Sequence, residues 1–445
     1  MESKLTINQR NYILYHLAFS VDISPKINSQ FVFGSQQNGK ICFLENNKIF
    51  DEKHVVTINS CPVLFPGDPG APFYTYKEGT LIFHHDLLKS AFYLLSGYQE
   101  YISDEKDLLG RFPYESSVQH KLNIITRPLV NEYFEQIHEG ISLYCRENGI
   151  EYNKPEIFKS PVFFLTHDVD RIDKYTFHTI KGKIKRGHFK EAVLWFFRWI
   201  NPFYKKNPYW TYDFLESAET KRKLNSVYFF LNRGVKHIDS YYSFQDERIK
   251  SIINHLEKSG FGIGLHSGVK TQLDYHIMKK NLKELNDITL NAVEGNRQHR
   301  LLFKIPETMR NLSKCSVKYD SSLGFAAHEG FRNSYCYPFK LYDFEKDEII
   351  NVWEIPLVVM DVTLFTYRKL DISSAMENIN LLVREIIKHN GVFTLLVHPE
   401  TLDEEEHPGI FRFYEDLLDL LLSKNINQIK LSQLLNKLNQ FEIFR

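Results

Sequence analysis

The feature that most constrains this chain is a regular alternation of short apolar runs and helical stretches that sets in at Ser226. Val227–Leu231 reads as a strand, residues 246–256 as a helix ended by Gly260, and Phe261–Leu265 as the next strand. A long polar helix follows from about Asp274 to Asn291. Strand-like pieces recur at residues 301–304, 316–320, 352–360 and 392–397. Helices fill the gaps, notably Ile372–His389, with Asp371 as N-cap and Gly391 just past its end. A last helix over residues 411–423 precedes the short segment 428–431. Repeated β-then-α demands parallel strands with outer helices, in a barrel or a doubly wound sheet.

The N-terminal third differs. Short β-type pieces at residues 30–33, 40–44 and 54–58 are separated by Asn/Gly turns, and residues 66–72 form a dense Pro/Gly loop. One amphipathic helix starts behind Asp86 and runs to Gly97; another opens at Pro128 and stops at Gly149. His84-His85-Asp86 has the look of a ligand cluster, but solvated imidazoles at a helix entry are the simpler reading. Polar residues 150–160 form a linker. We therefore expect a smaller α+β domain over 1–155 and an α/β domain over 156–445.

Totals exclude some functions. Of 445 residues, 55 are Lys or Arg and 55 Asp or Glu, so no global charge favours nucleic acid. The five cysteines are scattered without a Cys-x-x-Cys pair, which speaks against a disulfide scaffold or thiolate zinc. Without a long apolar h-region or a bilayer-length apolar run, a cytoplasmic protein is the expectation. Residues 171–212 interrupt the α/β pattern with a helical, aromatic-rich insertion. It is basic at Lys181, Lys183, Lys185, Arg186 and Lys190, and carries Trp195, Trp199 and Trp210. It reads either as a lid on a barrel mouth or as an interfacial helix, with peripheral membrane contact through residues 181–200.

Chemistry gathers where the apolar runs end. Residues 162–165 run into Asp168 and Asp170, which project to one side if the strand pitch persists. Two neighbouring carboxylates need a cation or a shared proton, so the pair suits a metal site or acid/base work; a strand end followed by a helix cap is the plain alternative. The following runs end in His266-Ser267, Arg297-Gln298-His299, Tyr319-Asp320-Ser321-Ser322 and His398. In a β/α barrel such groups converge on one mouth. Imidazoles and carboxylates together suit a divalent metal such as zinc.

The motifs Thr166-His167-Asp168-Val169-Asp170, Leu265-His266-Ser267, Arg297-Gln298-His299, Tyr319-Asp320-Ser321 and Leu395-Leu396-Val397-His398 resemble those of metal-dependent polysaccharide deacetylases, the NodB-homology group. Asp320-Ser321-Ser322-Leu323-Gly324 and Gly330-Phe331-Arg332 are similar to a bacterial subgroup associated with surface-polysaccharide gene sets, in which an extra N-terminal domain often precedes the catalytic one. The resemblance spans about residues 160–440. It implies a distorted (β/α) barrel and hydrolysis of the N-acetyl group of an N-acetylated sugar or polysaccharide precursor. It also implies Asp168 as general base, His398 as general acid, and Arg297 as the cation that keeps Asp168 ionised. His266 would be a metal ligand.

Two positions depart from the pattern. Val169 stands where the metal-binding aspartate is usual, which passes that role to Asp170. Lys270 stands where a second histidine is usual, which makes His299 the candidate third ligand, with His167 behind it. Asp320 is a candidate substrate contact or a turn cap. Arg332 is a candidate for an anionic sugar or a salt-bridged loop arginine. The rival function is a non-catalytic carbohydrate-binding protein on the same scaffold.

Overall fold

The computed structural model describes residues 4–201, 203–204, 206–236 and 238–443. Its N-terminal part holds β1 (Phe31–Phe33), β2 (Ile41–Phe43), β3 (Val56–Ile58), β4 (Cys61–Val63), β5 (Tyr74–Lys77) and β6 (Thr80–Phe83). A four-stranded sheet has the order β1-β2-β6-β5, and β3 and β4 form a separate hairpin. Helix Leu87–Leu95 is buried along its whole length, and Asp86 caps it by accepting from the Lys89 N–H. Its apolar content allows this all-round burial, so it is the central helix of the N-terminal core.

A second sheet of ten strands carries the rest. In chain order its strands are β7 (Val162–Val169), β8 (Val227–Leu231), β9 (Gly262–Ser267), β10 (Gly295–Gln298), β11 (Tyr319–Asp320), β12 (Phe339–Asp343), β13 (Glu348–Glu354), β14 (Val359–Met360), β15 (Val392–Leu396) and β16 (Asn427–Gln428). The path runs β12-β13-β11-β10-β9-β8-β7-β15-β14, with β16 added beside β7. Every pairing is parallel except β12 with β13. The sheet curls into an open half-barrel. Among the described residues no pairing joins β12 to β14, so the expected barrel does not close.

Glycines make room inside the curl. A Cβ on Gly295 would lie 2.0 Å from the Tyr319 ring and one on Gly264 would lie 2.4 Å from Phe229. These rings fill the concave side, where a larger residue would overpack. All eight residues of β7 are buried, as expected of a strand covered on both faces.

Some expected elements move. The strand expected at 301–304 is absent, and β10 lies earlier, at Gly295–Gln298, because Arg300 and Leu301 both adopt left-handed backbone. The stretch 352–360 splits into the ends of β13 and β14 around Pro356. Strand β12 and the last helix, Leu431–Ile443, were not foreseen. The helix carries a regular apolar stripe, Leu431, Leu434, Leu435, Leu438 and Phe441, that the sequence reading passed over.

The N-terminal part is packed onto the sheet. Helix Ile7–Leu17 lies along β12: Tyr12 donates to the Lys340 carbonyl (2.9 Å), and the Lys340 N–H donates to His16 Nε2 (3.0 Å). This satisfies backbone groups on an edge strand that would otherwise offer them to another chain. Arg332, expected at a sugar, is instead buried in a bidentate pair with Glu100 (2.8 and 2.6 Å), and its third arm reaches the Gly324 carbonyl. The loop carrying Arg332 packs under the N-terminal helices, which is why its charge meets a protein carboxylate rather than a ligand. Breaking a buried pair leaves a lone buried charge. Arg332→Ala is therefore expected to cost about 3–5 kcal/mol of stability in urea unfolding; a loss under about 1 kcal/mol would show the pair to be effectively solvated.

Candidate active site and metal centre

The C-terminal ends of β7, β9, β10 and β15 open into a cleft of about 1270 Å³ whose lining includes Asp168, Asp170, His266, His299 and His398. At its floor Arg297 is fully buried. Its Nη1 donates to Asp168 Oδ1 (2.9 Å) and Thr166 Oγ1 (2.8 Å), its Nε to the Ser321 carbonyl (2.7 Å) and its Nη2 to Ser321 Oγ (2.9 Å). The Phe229 ring lies under the guanidinium, 4.6 Å away. One oxygen of Asp168 is thus committed to Arg297. The other faces His266 Nε2 at 3.6 Å.

Asp170, His266 and His299 form a compact set whose donor atoms all lie within 4.8 Å of one another. His266 Nε2 is 3.2 Å from Asp170 Oδ1 and His299 Nε2 is 3.3 Å from Asp170 Oδ2. Each imidazole is oriented through its other nitrogen. His266 Nδ1 donates to the Arg297 carbonyl (2.9 Å), and His299 Nδ1 pairs with Asp239 Oδ1 (2.8 Å). Asp239 in turn accepts from the Val235 and Val269 N–H groups (2.7 and 3.1 Å). Such partners are what hold metal-bound imidazoles in place.

The donor set fits a divalent ion. Asp170 Oδ1 is buried and receives no hydrogen bond from the described residues, an orphaned acceptor that burial penalises unless a cation meets it. Two imidazole nitrogens and one carboxylate oxygen, with space left in the cleft, suit a divalent metal ion and leave a position open beside it. The two departures in the sequence acquire a location. Val169 is buried in β7, and Lys270 sits in an exposed turn outside the cleft, while His299 stands beside Asp170. His167 is turned to the opposite side of β7, paired with Glu219 (2.8 Å) and the Val397 carbonyl (2.8 Å), and does not face the set.

Electrostatics follow the geometry. Burial alone would push Asp170 up, but His299 and His266 outweigh it and hold the carboxyl well below its usual range. Burial would lower His299, yet Asp170 and Asp239 on either side raise it to about 9. For His398, burial is likewise overcome, chiefly by Asp361, and the ring is raised to about 10. Asp361 accepts from His398 Nδ1 (2.7 Å) and from the His398 N–H (2.8 Å). Burial and the Asp170 charge raise Glu400, on the same wall, to about 8.

Asp320 does not join the cleft. It is buried behind β10, where it accepts from Asn296 Nδ2 (2.6 Å) and the Ser322 N–H (2.9 Å), and burial raises its carboxyl. Its register partner Glu354 is raised well above the normal range, again by burial first and then by Asp320. The expected substrate contact is replaced by an interior carboxyl pair, because the side chain points into the sheet's packing. Sequence reasoning missed Asp361, Glu400 and Asp239. Asp361 follows the apolar run 357–360 as Asp168 follows its own, and Glu400 lies two residues past His398, so both carried a signal. Asp239 carried none.

The 171–212 insertion forms one wall of the cleft. Helices Phe177–Lys185 and Phe189–Ile200 make a hairpin whose two arms pack on each other through Ile180, Ala192 and Trp195 beside Tyr175. Glu405 anchors it by pairing with Arg198 (2.7 Å), while Lys174 pairs with Asp403.

Comparison with known proteins gives three findings. Residues 3–144 match a family of unknown function, DUF7033. No curated protein matches the chain. Among solved structures, a Mycobacterium smegmatis protein carrying the provisional name polysaccharide deacetylase is similar at 14% identity and TM-score 0.45, covering 64% of this chain and 92% of its own. The allantoinase Puue is similar at 10% identity and TM-score 0.41, covering 62% and 88%. A CE4 family pseudoenzyme from Bacillus anthracis, BA3943, is similar at 11% identity and TM-score 0.31, covering 63% and 66%.

The metal reading has a pH signature. In the metal-free protein His299 keeps a proton up to about pH 9 between two carboxylates, and a bound cation must displace it. Zinc affinity is expected to rise about tenfold per pH unit from pH 7 towards 9, measured by chelator competition. Equal affinity at both ends of that range would remove His299 from the ligand set.

Proposed function

We propose that this chain is a metal-dependent hydrolase that removes the N-acetyl group from an N-acetylated sugar, with Asp170, His266 and His299 holding a divalent cation, zinc before others. The observation that carries the reading is the pairing of a base and an acid across the Asp/His/His set: Asp168 tied to Arg297 on one side, His398 tied to Asp361 on the other. A cation bound there supplies a Lewis acid that polarises the acetamide carbonyl and makes water more acidic.

The protein's own groups do the rest. Asp168, held by Arg297 through Oδ1, takes the proton of the attacking water on its free Oδ2. As water oxygen joins the carbonyl carbon and the C–N bond breaks, the amine nitrogen needs a proton. His398 carries one at neutral pH and presents it from Nε2, since Nδ1 is held by Asp361. Acetate and the free amine leave. The substrate as a surface-polysaccharide precursor, and a cytoplasmic site of action, belong to this proposal through the sequence resemblance.

Acetate release from N-acetylated sugars by zinc-loaded protein tests the reading. Asp168→Asn should lower the rate on the order of 10²–10⁴-fold. Because Asp361 raises His398 to about 10, activity should hold through neutral pH and fall as His398 deprotonates at high pH. Asp361→Asn should move that alkaline limb to lower pH. No acetate from any N-acetylated sugar, with zinc verified as bound, would instead favour the carbohydrate-binding alternative that Val169 and Lys270 motivate.

We also propose that the helical hairpin rests against an anionic bilayer. Ten of the twenty-four exposed large apolar side chains among the described residues fall between Phe177 and Phe203, including Phe189, Phe197 and Trp199. Of the hairpin's six Lys or Arg, Lys183 and Arg198 are paired with Glu191 and Glu405, and the other four, Lys181, Lys185, Arg186 and Lys190, would complement anionic headgroups. No helix among the described residues is long and apolar enough to cross a membrane, so the contact would lie in the interface. Co-sedimentation with vesicles containing phosphatidylglycerol should be lost in Phe197→Glu/Trp199→Glu. Binding indifferent to that change would dismiss the contact.

A further inference from the structure

Two of the three candidate metal ligands are each followed at once by an arginine: Asp170 by Arg171 and His299 by Arg300. Both arginines line the same cleft as the ligands. Among the described residues neither guanidinium has a carboxylate oxygen within 4.0 Å, in contrast to Arg297, Arg332 and Arg310, whose charges are all matched inside the protein. The cleft as a whole is lined by nine Lys or Arg against five Asp or Glu, in a chain whose formal net charge is zero. Three of those five carboxylates, Asp168, Asp170 and Asp239, already face Arg297 or the imidazoles. Arg111 and Lys183 are matched by Asp107 and Glu191 from outside that lining, which leaves Arg171 and Arg300 among the cleft cations with no carboxylate at ion-pair distance in the described residues.

The backbone at Arg300 is built to present it. Arg300 has φ +61° and Leu301 φ +54°, two successive non-glycine residues in the left-handed region, a conformation that persists only where its surroundings impose it. One imposing contact comes from the N-terminal part of the chain. Arg111 Nη1 donates to the Arg300 carbonyl (3.0 Å), while Arg111 is itself clamped by Asp107 (2.7 Å). The strained turn both aims His299 at Asp170 and sends the next side chain into the cleft. Arg111 is thus a positioning residue, and the segment 3–144 contributes to the site through it.

We infer that Arg171 and Arg300 bind an anionic group of the sugar substrate, a phosphate or a carboxylate, beside the metal centre. The inference rests on the deacetylase reading for the word substrate, and on the cleft alone for the anion. A guanidinium fork recognises either oxyanion with paired N–H donors. A neutral sugar would leave both charges unmatched.

The test is binding of unreactive probes to the full chain by titration calorimetry, after chelator treatment and again with zinc. Glucose 1-phosphate represents a sugar phosphate, glucuronic acid a sugar carboxylate and glucose the neutral case. At least one anionic probe should bind about tenfold or more tighter than glucose, the effect of one charge-assisted hydrogen bond, and the preference should shrink in high salt. Which acid is preferred tells phosphate from carboxylate. Arg171→Ala/Arg300→Ala should abolish the preference, Arg300→Lys should keep part of it, and Arg111→Ala should reduce it. If neither anionic probe binds better than glucose at millimolar concentration, the inference is overturned. It is also overturned if the double variant, folded by circular dichroism, keeps the wild-type preference. Anion preference without acetate release would defeat the proposed reaction and leave the anion site standing. Acetate release from neutral sugars with no such preference would do the reverse.

Discussion

The structure of the site depends on one buried guanidinium. Arg297 has no contact with solvent, and desolvating a full positive charge costs several kcal/mol unless its donors are met. Here they are met by groups from three strands or strand ends: Thr166 and Asp168 from β7, Ser321 just past β11, and the Phe229 ring from β8. Satisfying the arginine draws the C-terminal ends of these strands together and leaves Asp168 with one committed oxygen and one available one. The same residue's carbonyl receives His266 Nδ1, so one position orients both Asp168 and His266.

From that anchor the site divides its labour by what each second nitrogen or oxygen meets. An imidazole whose Nδ1 is held by a backbone carbonyl or a carboxylate presents Nε2 in a defined direction, and this is true of His266, His299 and His398 alike. The partner then sets the role. Asp170 and Asp239 on both sides of His299 make it a place where proton and cation compete. Asp361 behind His398 raises that ring to about 10, so it stays protonated at neutral pH. Similar residues in the chain outside these partnerships are structural: His167 is paired with Glu219, and Asp320 shares the interior with Glu354.

Much of the fold was legible because it is local. The helix Ile372–His389 is bounded by Asp371 and closed by Asn390 and Gly391 as its sequence pattern requires, and the strands at 227, 262 and 392 coincide with apolar runs flanked by turns. The failures are equally physical. β10 is Gly295-Asn296-Arg297-Gln298, a strand with no apolar run, so hydrophobic periodicity passes over it. Its core position comes from Tyr319 packing over Gly295 and from the matched Arg297, neither of which is a local signal. β12 is recruited by β13 and by helix Ile7–Leu17, more than three hundred residues away in the chain.

By itself the sequence determined which residues could do chemistry and their order along the chain: Asp168, Asp170, His266, Arg297, His299 and His398 at the ends of successive strands. Residue type and strand-end position are properties of short segments, so they survive without a fold. Only the tertiary structure decided which of them meet. It placed His299 beside Asp170 and turned His167 away, because a strand alternates its side chains and the sheet assigns one face to the cleft. It withdrew Arg332 and Asp320 into the interior, where Glu100 and Asn296 complete their hydrogen bonds. It also left Arg171 and Arg300 without a protein carboxylate within ion-pair distance, since partnership between charges depends on three-dimensional distance and not on spacing along the chain.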